Sequence, residues 1–184
     1  MPLNEPASRR EIHHRTVDMR TFERDDGLYD VEARLIDQKP FPFLRESSPQ
    51  PVPAGQSLHD LWVRVTVDED LVVRSIEAAS DVTPWKVCKE SATALDALVG
   101  EKIARGWSFK VKEKLRGAAG CTHQMEMLIT MATTALQGIR GIHPEQIRGL
   151  NAEGVPIKLD SCFAYGRERE VVKMLWPSHH VTQG

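Results

Sequence analysis

Apolar and polar residues alternate within positions 28–37, with Tyr29, Val31, Ala33 and Leu35 set against Asp30, Glu32 and Arg34. A period of two is that of a strand with one covered face and one wet face. Residues 9–22 supply Ile12, Thr16, Val17, Met19 and Phe22 as a strand before it, and Glu23-Arg24-Asp25-Asp26-Gly27 supplies a turn, so a β-hairpin is predicted. Positions 59–67 alternate again, Leu61, Val63, Val65 and Val67 against Trp62, Arg64 and Thr66, and Asp68-Glu69-Asp70 turns the chain into 71–79 as a second hairpin. Its register stays open. A two-residue turn pairs Val63 with Ile76, whereas a three-residue turn pairs Leu61 with Glu77 and sends Glu77 to the face of His59. Between the hairpins, positions 40–56 hold five prolines and no period, which predicts a loop draped over an edge or a site.

The period then changes to that of helices. Positions 88–99 carry Ala92, Leu95, Ala97, Leu98 and Val99 before Gly100, a helix with a glycine stop. A short basic helix follows at 108–116, with Phe109, Val111 and Leu115 apolar, and glycines at 117 and 120 break it. The longest helix spans 122–139, with Met125, Leu128, Ile129, Ala132, Ala135, Leu136 and Ile139 at helical spacing. Beyond 143 the pattern weakens, and 159–176 reads as a last strand pair broken at Gly166-Arg167-Glu168. Strands first and helices next predict an α+β fold: an antiparallel sheet of two hairpins, three helices packed on one face, and a C-terminal strand pair. The expected domain is 9–176, with flexible tails at 1–8 and 177–184.

Composition narrows the function class. The 184 residues are 41% hydrophobic, enough for a core, and the net charge of −2 without single-sign runs is no footprint of a nucleic-acid or membrane binder. The N-terminus lacks a basic stretch followed by an apolar one, and nowhere do 18 apolar residues run together, so the expectation is a soluble cytoplasmic protein acting on a small molecule. Three widely spaced cysteines, Cys88, Cys121 and Cys162, suit a reducing compartment. The exposed edges of a short antiparallel sheet make a homodimer an expectation.

Chemistry concentrates at Gly120-Cys121-Thr122-His123-Gln124-Met125-Glu126, a thiol, an imidazole and a carboxylate opening the long helix. Free backbone N–H groups and the helix dipole favour an anion there. From 121 to 139 the only charged side chain is Glu126, which predicts that the polar residues of this helix are buried or line a pocket. A His123–Glu126 couple, with Thr130 and Thr134 continuing that side, suits proton transfer near neutral pH. His59 opens a strand near the proline-rich segment, with Asp60 on the opposite face. Glu77 becomes a base if the register turns it inward, and one of His13 and His14 can enter a pocket while the other is solvated. His59, Cys121, His123, Glu126 and Glu77 are therefore the catalytic candidates, and Arg64, Asp81, Trp62, Tyr29 and Thr130 the substrate-binding ones. Arg64 with Glu32 serves equally as a cross-strand ion pair. No cofactor is expected; the alternative is zinc or iron held by His59, Cys121 and His123, completed by Asp81 or Cys88.

Positions 10–14, Asp26-Gly27-Leu28-Tyr29-Asp30-Val31-Glu32-Ala33, His59-Asp60-Leu61-Trp62-Val63-Arg64, Gly106-Trp107, Gly120-Cys121-Thr122-His123 and Met131-Ala132-Thr133-Thr134-Ala135 together resemble a bacterial family known as domain of unknown function 2889. That resemblance covers about 10–176. Its members often accompany genes for catabolism of aromatic or acyl compounds, which implies a small enzyme acting on a phenolic or carboxylic substrate. The layout is also similar to NifU-like iron–sulfur scaffolds, with Cys88 and Cys121 matching two scaffold cysteines; the third is missing, although Asp81 lies near its place. The leading expectation is a cofactor-independent lyase or hydrolase using general acid–base chemistry, retro-aldol C–C cleavage included. A metal or iron–sulfur module, and a non-catalytic small-ligand binder, are the alternatives.

Overall fold

The computed structural model describes residues 4–143 and 149–182 and has the expected α+β architecture. Of the expected tails, residues 1–3 and 183–184 lie outside the described residues. The chain divides into two compact units, Met1–Gly138 and Ile139–Gly184. In the first unit β1 (His14–Glu23) and β2 (Tyr29–Gln38) form the first hairpin. β3 (Phe43–Arg45) and β4 (Ser48–Val52) make a small separate hairpin. β5 (Ser57–Val67) and β6 (Val73–Val82) complete a four-stranded antiparallel sheet in the order β1-β2-β5-β6. The alternation in β2 is realised in full: Tyr29, Val31, Ala33 and Leu35 are buried, and Glu32 and Arg34 face out.

Three local expectations are corrected. The segment 40–56 is a hairpin rather than a loop; Pro49 and Pro51 are tolerated because both strands of a two-stranded sheet are edges. Neither register foreseen for the second large hairpin is adopted. Arg64 lies opposite Glu77, and Val65 opposite Ile76, with irregularities beside Asp60 and Thr66. The connection is longer than assumed, since Val67 pairs with Val73. Asp68 organises it by accepting the Val72 N–H at 2.9 Å, and Leu71 takes a φ of 65°. Third, positions 159–176 hold no strand pair: a 3-10 turn at Phe163–Tyr165 and the helix Glu170–Leu175 stand there among turns, and a second 3-10 turn, Pro177–His179, follows. In that second unit Tyr165 folds onto Trp176 with ring centroids 5.6 Å apart, and Val172 alone of the short helix is buried, so no two-residue period operates.

Residues Lys86–Leu98 wind as a 3-10 helix. Ala92, Leu95 and Leu98 recur every third residue and turn inward, as three residues per turn requires. The next helix, α1 (Trp107–Leu115), buries Trp107, Val111 and Leu115 at spacing four, while Phe109, expected on that face, is 69% exposed. The long helix α2 (Thr122–Ile142) buries Gln124, Met127, Leu128, Met131, Ala135 and Ile139. The Trp107 indole N–H donates to the Leu128 carbonyl at 2.8 Å and ties the two helices together. α2 also lies against β1: Thr21 Oγ1 donates to the Thr134 carbonyl at 3.1 Å, and a Cβ on Gly138 would fall 2.7 Å from Thr21 Cβ. Among the described residues no helix is long and apolar enough to cross a membrane.

Candidate functional site

The fifth inward position of β2 is an aspartate. Asp37 continues the phase of Tyr29, Val31, Ala33 and Leu35 onto the face covered by α2, and its side chain is 1% exposed. A carboxylate placed there must be matched by donors. Arg15, opposite it on β1, gives Nε to Oδ1 at 2.7 Å and Nη2 to Oδ2 at 2.9 Å. His59, opposite it on β5, places Nδ1 at 3.0 Å from Oδ2, and His13 places Nε2 at 3.0 Å from Oδ1. An ionised carboxylate only accepts, so both ring nitrogens carry the hydrogen, and the Nε2 of His59 is left with a free lone pair. The start of α2 completes the cluster. His123 lies with its ring centroid 4.1 Å from that of His59, tilted by 41°, and its Nε2 is 3.9 Å from Asp37 Oδ2, beyond a hydrogen bond. Cys121 Sγ sits 3.9 Å from His123 Nδ1, and Glu126 meets Arg15 Nη1 at 3.2 Å.

The charges in this cluster sort themselves. Burial pushes the Asp37 carboxyl upward, but the hydrogen bond and charge of Arg15, with help from His59, outweigh it and hold the group at about 2. His59 is shifted below the ordinary imidazole value because burial outweighs the pull of Asp37. His123 is lowered by burial first, then by the neighbouring charges of His59 and Arg15. At rest Asp37 is thus a carboxylate bound to the Arg15 guanidinium, and the contacting rings of His59 and His123 are neutral imidazoles.

Four of the sequence candidates meet here: His59, Cys121, His123 and Glu126. Glu126 differs in detail, since its partner is Arg15 and its side chain is 53% exposed. His13 faces Asp37 while His14 turns away to Thr16, as alternation requires. Glu77, Arg64, Trp62 and Asp81 are on the opposite face of the sheet. Arg64 pairs there with Glu32 at 2.8 Å and Glu77 at 3.1 Å, and Arg34 stacks over Trp62 at 4.6 Å while binding Asp60; Glu32, Trp62, Arg64, Glu77 and Asp81 rim a shallow hollow of about 400 Å³. The adopted register puts Glu77 beside Arg64 and keeps it from His59. Tyr29 is a core residue at the far end of β2, eight residues or roughly 26 Å from Asp37. Thr130 is exposed and returns its hydroxyl to the Glu126 and Met127 carbonyls of its own helix. Asp37 and Arg15 were not foreseen. Asp37 was detectable, because the alternation of β2 carried one step further lands a carboxylate on the apolar face; Arg15 had no such signal.

A metal ion has one group to consider among the described residues: a carboxylate oxygen of Asp37 and ring nitrogens of His59 and His123, all within 4.8 Å of one another. This replaces the expected set of His59, Cys121 and His123. Against it, the Asp37 oxygens already accept four donors, the full lone-pair capacity of a carboxylate, so an ion would have to displace one of them.

A family model described as protein of unknown function (DUF2889) matches residues 13–137, more than half of the chain and the whole of this cluster. No curated protein and no solved structure matches the chain.

Proposed function

We propose that this chain, which belongs to the DUF2889 family, is a small cytoplasmic enzyme that moves protons on a small aromatic or acyl compound, as a lyase or hydrolase without a cofactor. The observation that carries this reading is the buried Asp37 carboxylate holding His59 Nδ1–H, with the ring of His123 packed against His59. Asp37 orients the imidazole and stabilises the imidazolium that forms when Nε2 takes a proton. Two adjacent imidazoles resist holding two protons, so a proton taken by one is readily returned through the other. The Arg15 charge and the partial positive charge of the first-turn N–H groups of α2 are at hand for a developing oxyanion. Retro-aldol cleavage and acyl hydrolysis both need this set: a base, an acid and an anion cradle.

The test is a turnover screen over phenolic, carboxylated aromatic and acyl substrates, with the substrate's C–H exchange in heavy water as a second readout. His59→Gln and His123→Gln should each lower turnover by roughly 100-fold or more, the usual weight of a positioned acid or base. Full activity in His59→Gln would sink the assignment. A second reading, a divalent metal held by Asp37, His59 and His123, is favoured by the closeness of their ligand atoms. Stoichiometric zinc or iron in protein purified without chelator, lost in His123→Gln together with activity, would replace the cofactor-free reading.

A further inference from the structure

Between Glu126 and Arg140 the face of α2 that turns away from the core is exposed yet uncharged. Thr130, Thr133 and Gln137 are exposed on it, and between 127 and 139 it has no Lys, Arg, Asp or Glu. A helix face bathed in water ordinarily carries charge. Beside this face runs the outer edge of β1, the end strand of the sheet, ten residues long and without proline or lysine. Thr21, Thr133, Thr134, Gln137 and Gly138 line an open groove between the strand and the helix. Long unprotected edges pair with another strand unless something prevents it.

We propose that β1 pairs antiparallel with β1 of a second copy about a twofold axis at Met19, joining two sheets into one of eight strands. The charge pattern selects the copy and the register. A twofold axis perpendicular to the sheet keeps each face continuous, so paired residues must share a face and their numbers must sum to an even value. Centred on Met19, Asp18 faces the partner's Arg20, Arg20 faces the partner's Asp18, Arg15 faces the partner's Glu23, and Val17 faces the partner's Thr21. Moving the axis one residue either way sets Asp18 against its own copy or Arg20 against its own copy, and like charges directly opposite are destabilising. The Asp18–Arg20 pair already present within one strand, at 2.9 Å, becomes part of an alternating four-charge cluster. The same axis puts both α2 helices on one face of the joined sheet, side by side, so the threonine and glutamine surface of each meets an uncharged surface of the other. It also sets a third carboxylate, the partner's Glu23, near Arg15, beside Asp37 and Glu126.

The test uses the full chain in sedimentation velocity and light scattering over a concentration series. The wild type should be a dimer. Asp18→Arg and Arg20→Asp each turn two attractive cross-strand pairs repulsive and should weaken association by roughly tenfold or more, with unchanged circular dichroism. The double variant Asp18→Arg/Arg20→Asp should dimerise again, and an equimolar mixture of the two single variants should form heterodimers, which a folding defect cannot produce. A monomeric wild type, a dimer indifferent to the single substitutions, or failure of the mixed variants to associate overturns the proposal.

Discussion

Asp37→Asn probes the centre of the cluster. The substitution keeps shape and removes charge, so Arg15, His13 and His59 lose their common acceptor, and one amide group faces donors it cannot accept from. Lowering the carboxyl from 3.8 to about 2 corresponds to about 2.5 kcal/mol at 1.36 kcal/mol per unit. One donor set against a donor adds about 1 kcal/mol. The sum, about 3.5 kcal/mol, is at the low end for breaking a buried pair, as expected when Arg15 is 36% exposed and can be rehydrated. With a urea slope of about 2 kcal/mol/M, the unfolding midpoint should fall by about 1.7 M at pH 7. The sign in acid follows from the depressed value: stability is present above 3.8 and is lost as pH falls through about 2. The ionic part of the gap should therefore narrow to about half at pH 3, and the whole gap between wild type and variant to about two-thirds. A midpoint change below about 0.5 M at pH 7, or a gap as wide at pH 3 as at pH 7, would refute the account.

Two further outcomes test neighbouring parts. The imidazole signals of His59 and His123 should titrate below 6.5, and Asp37→Asn should push His59 lower still because it removes the group that raises it. Since the folded state binds fewer protons than the unfolded one in that window, both histidines stabilise the fold above 6.5 and lose this effect as pH falls; a His59 midpoint that rises in the variant contradicts the assignment. Gly138→Ala should destabilise by about 1 kcal/mol despite the better helix propensity of alanine, because the new Cβ meets Thr21, a stiff side chain already bonded to the Thr134 carbonyl. A thermal melt should show the loss, and Thr21→Ser should recover part of it.

The histidines and the cysteine of the cluster were legible because residue type and helix start are local properties. His123 and Cys121 stand at the first turn of the helix that the 3.6-residue spacing predicts, and His59 leads a strand whose alternation is unmistakable. Glu77 was misplaced for an equally local reason. Its face depended on the length of one turn, and the Asp68–Val72 bond and the left-handed Leu71 lengthened that turn. The uncharged stretch of α2 was read as buried or lining a pocket; Gln124 is buried, whereas Thr130, Thr133 and Gln137 are exposed, the last two along an open groove.

The amino-acid order alone determined the four long strands and the helices of the first unit, because periods of two and of 3.6 and the glycine stops act over a few residues; it did not determine 40–56 or 159–176, where no such period runs. It determined which strand residues share a face, and so the separation of a wet face bearing Arg34, Trp62 and Arg64 from a covered one. Tertiary structure decided what meets on the covered face. Arg15, Asp37 and His59 come from three strands, and His123 from a helix 64 positions after His59 in the chain. Their convergence depends on strand order, register and the placement of α2 against β1, none of which any short stretch of sequence encodes. Burial then gave these groups their chemistry, lowering both imidazoles and forcing the carboxylate to gather every donor within reach.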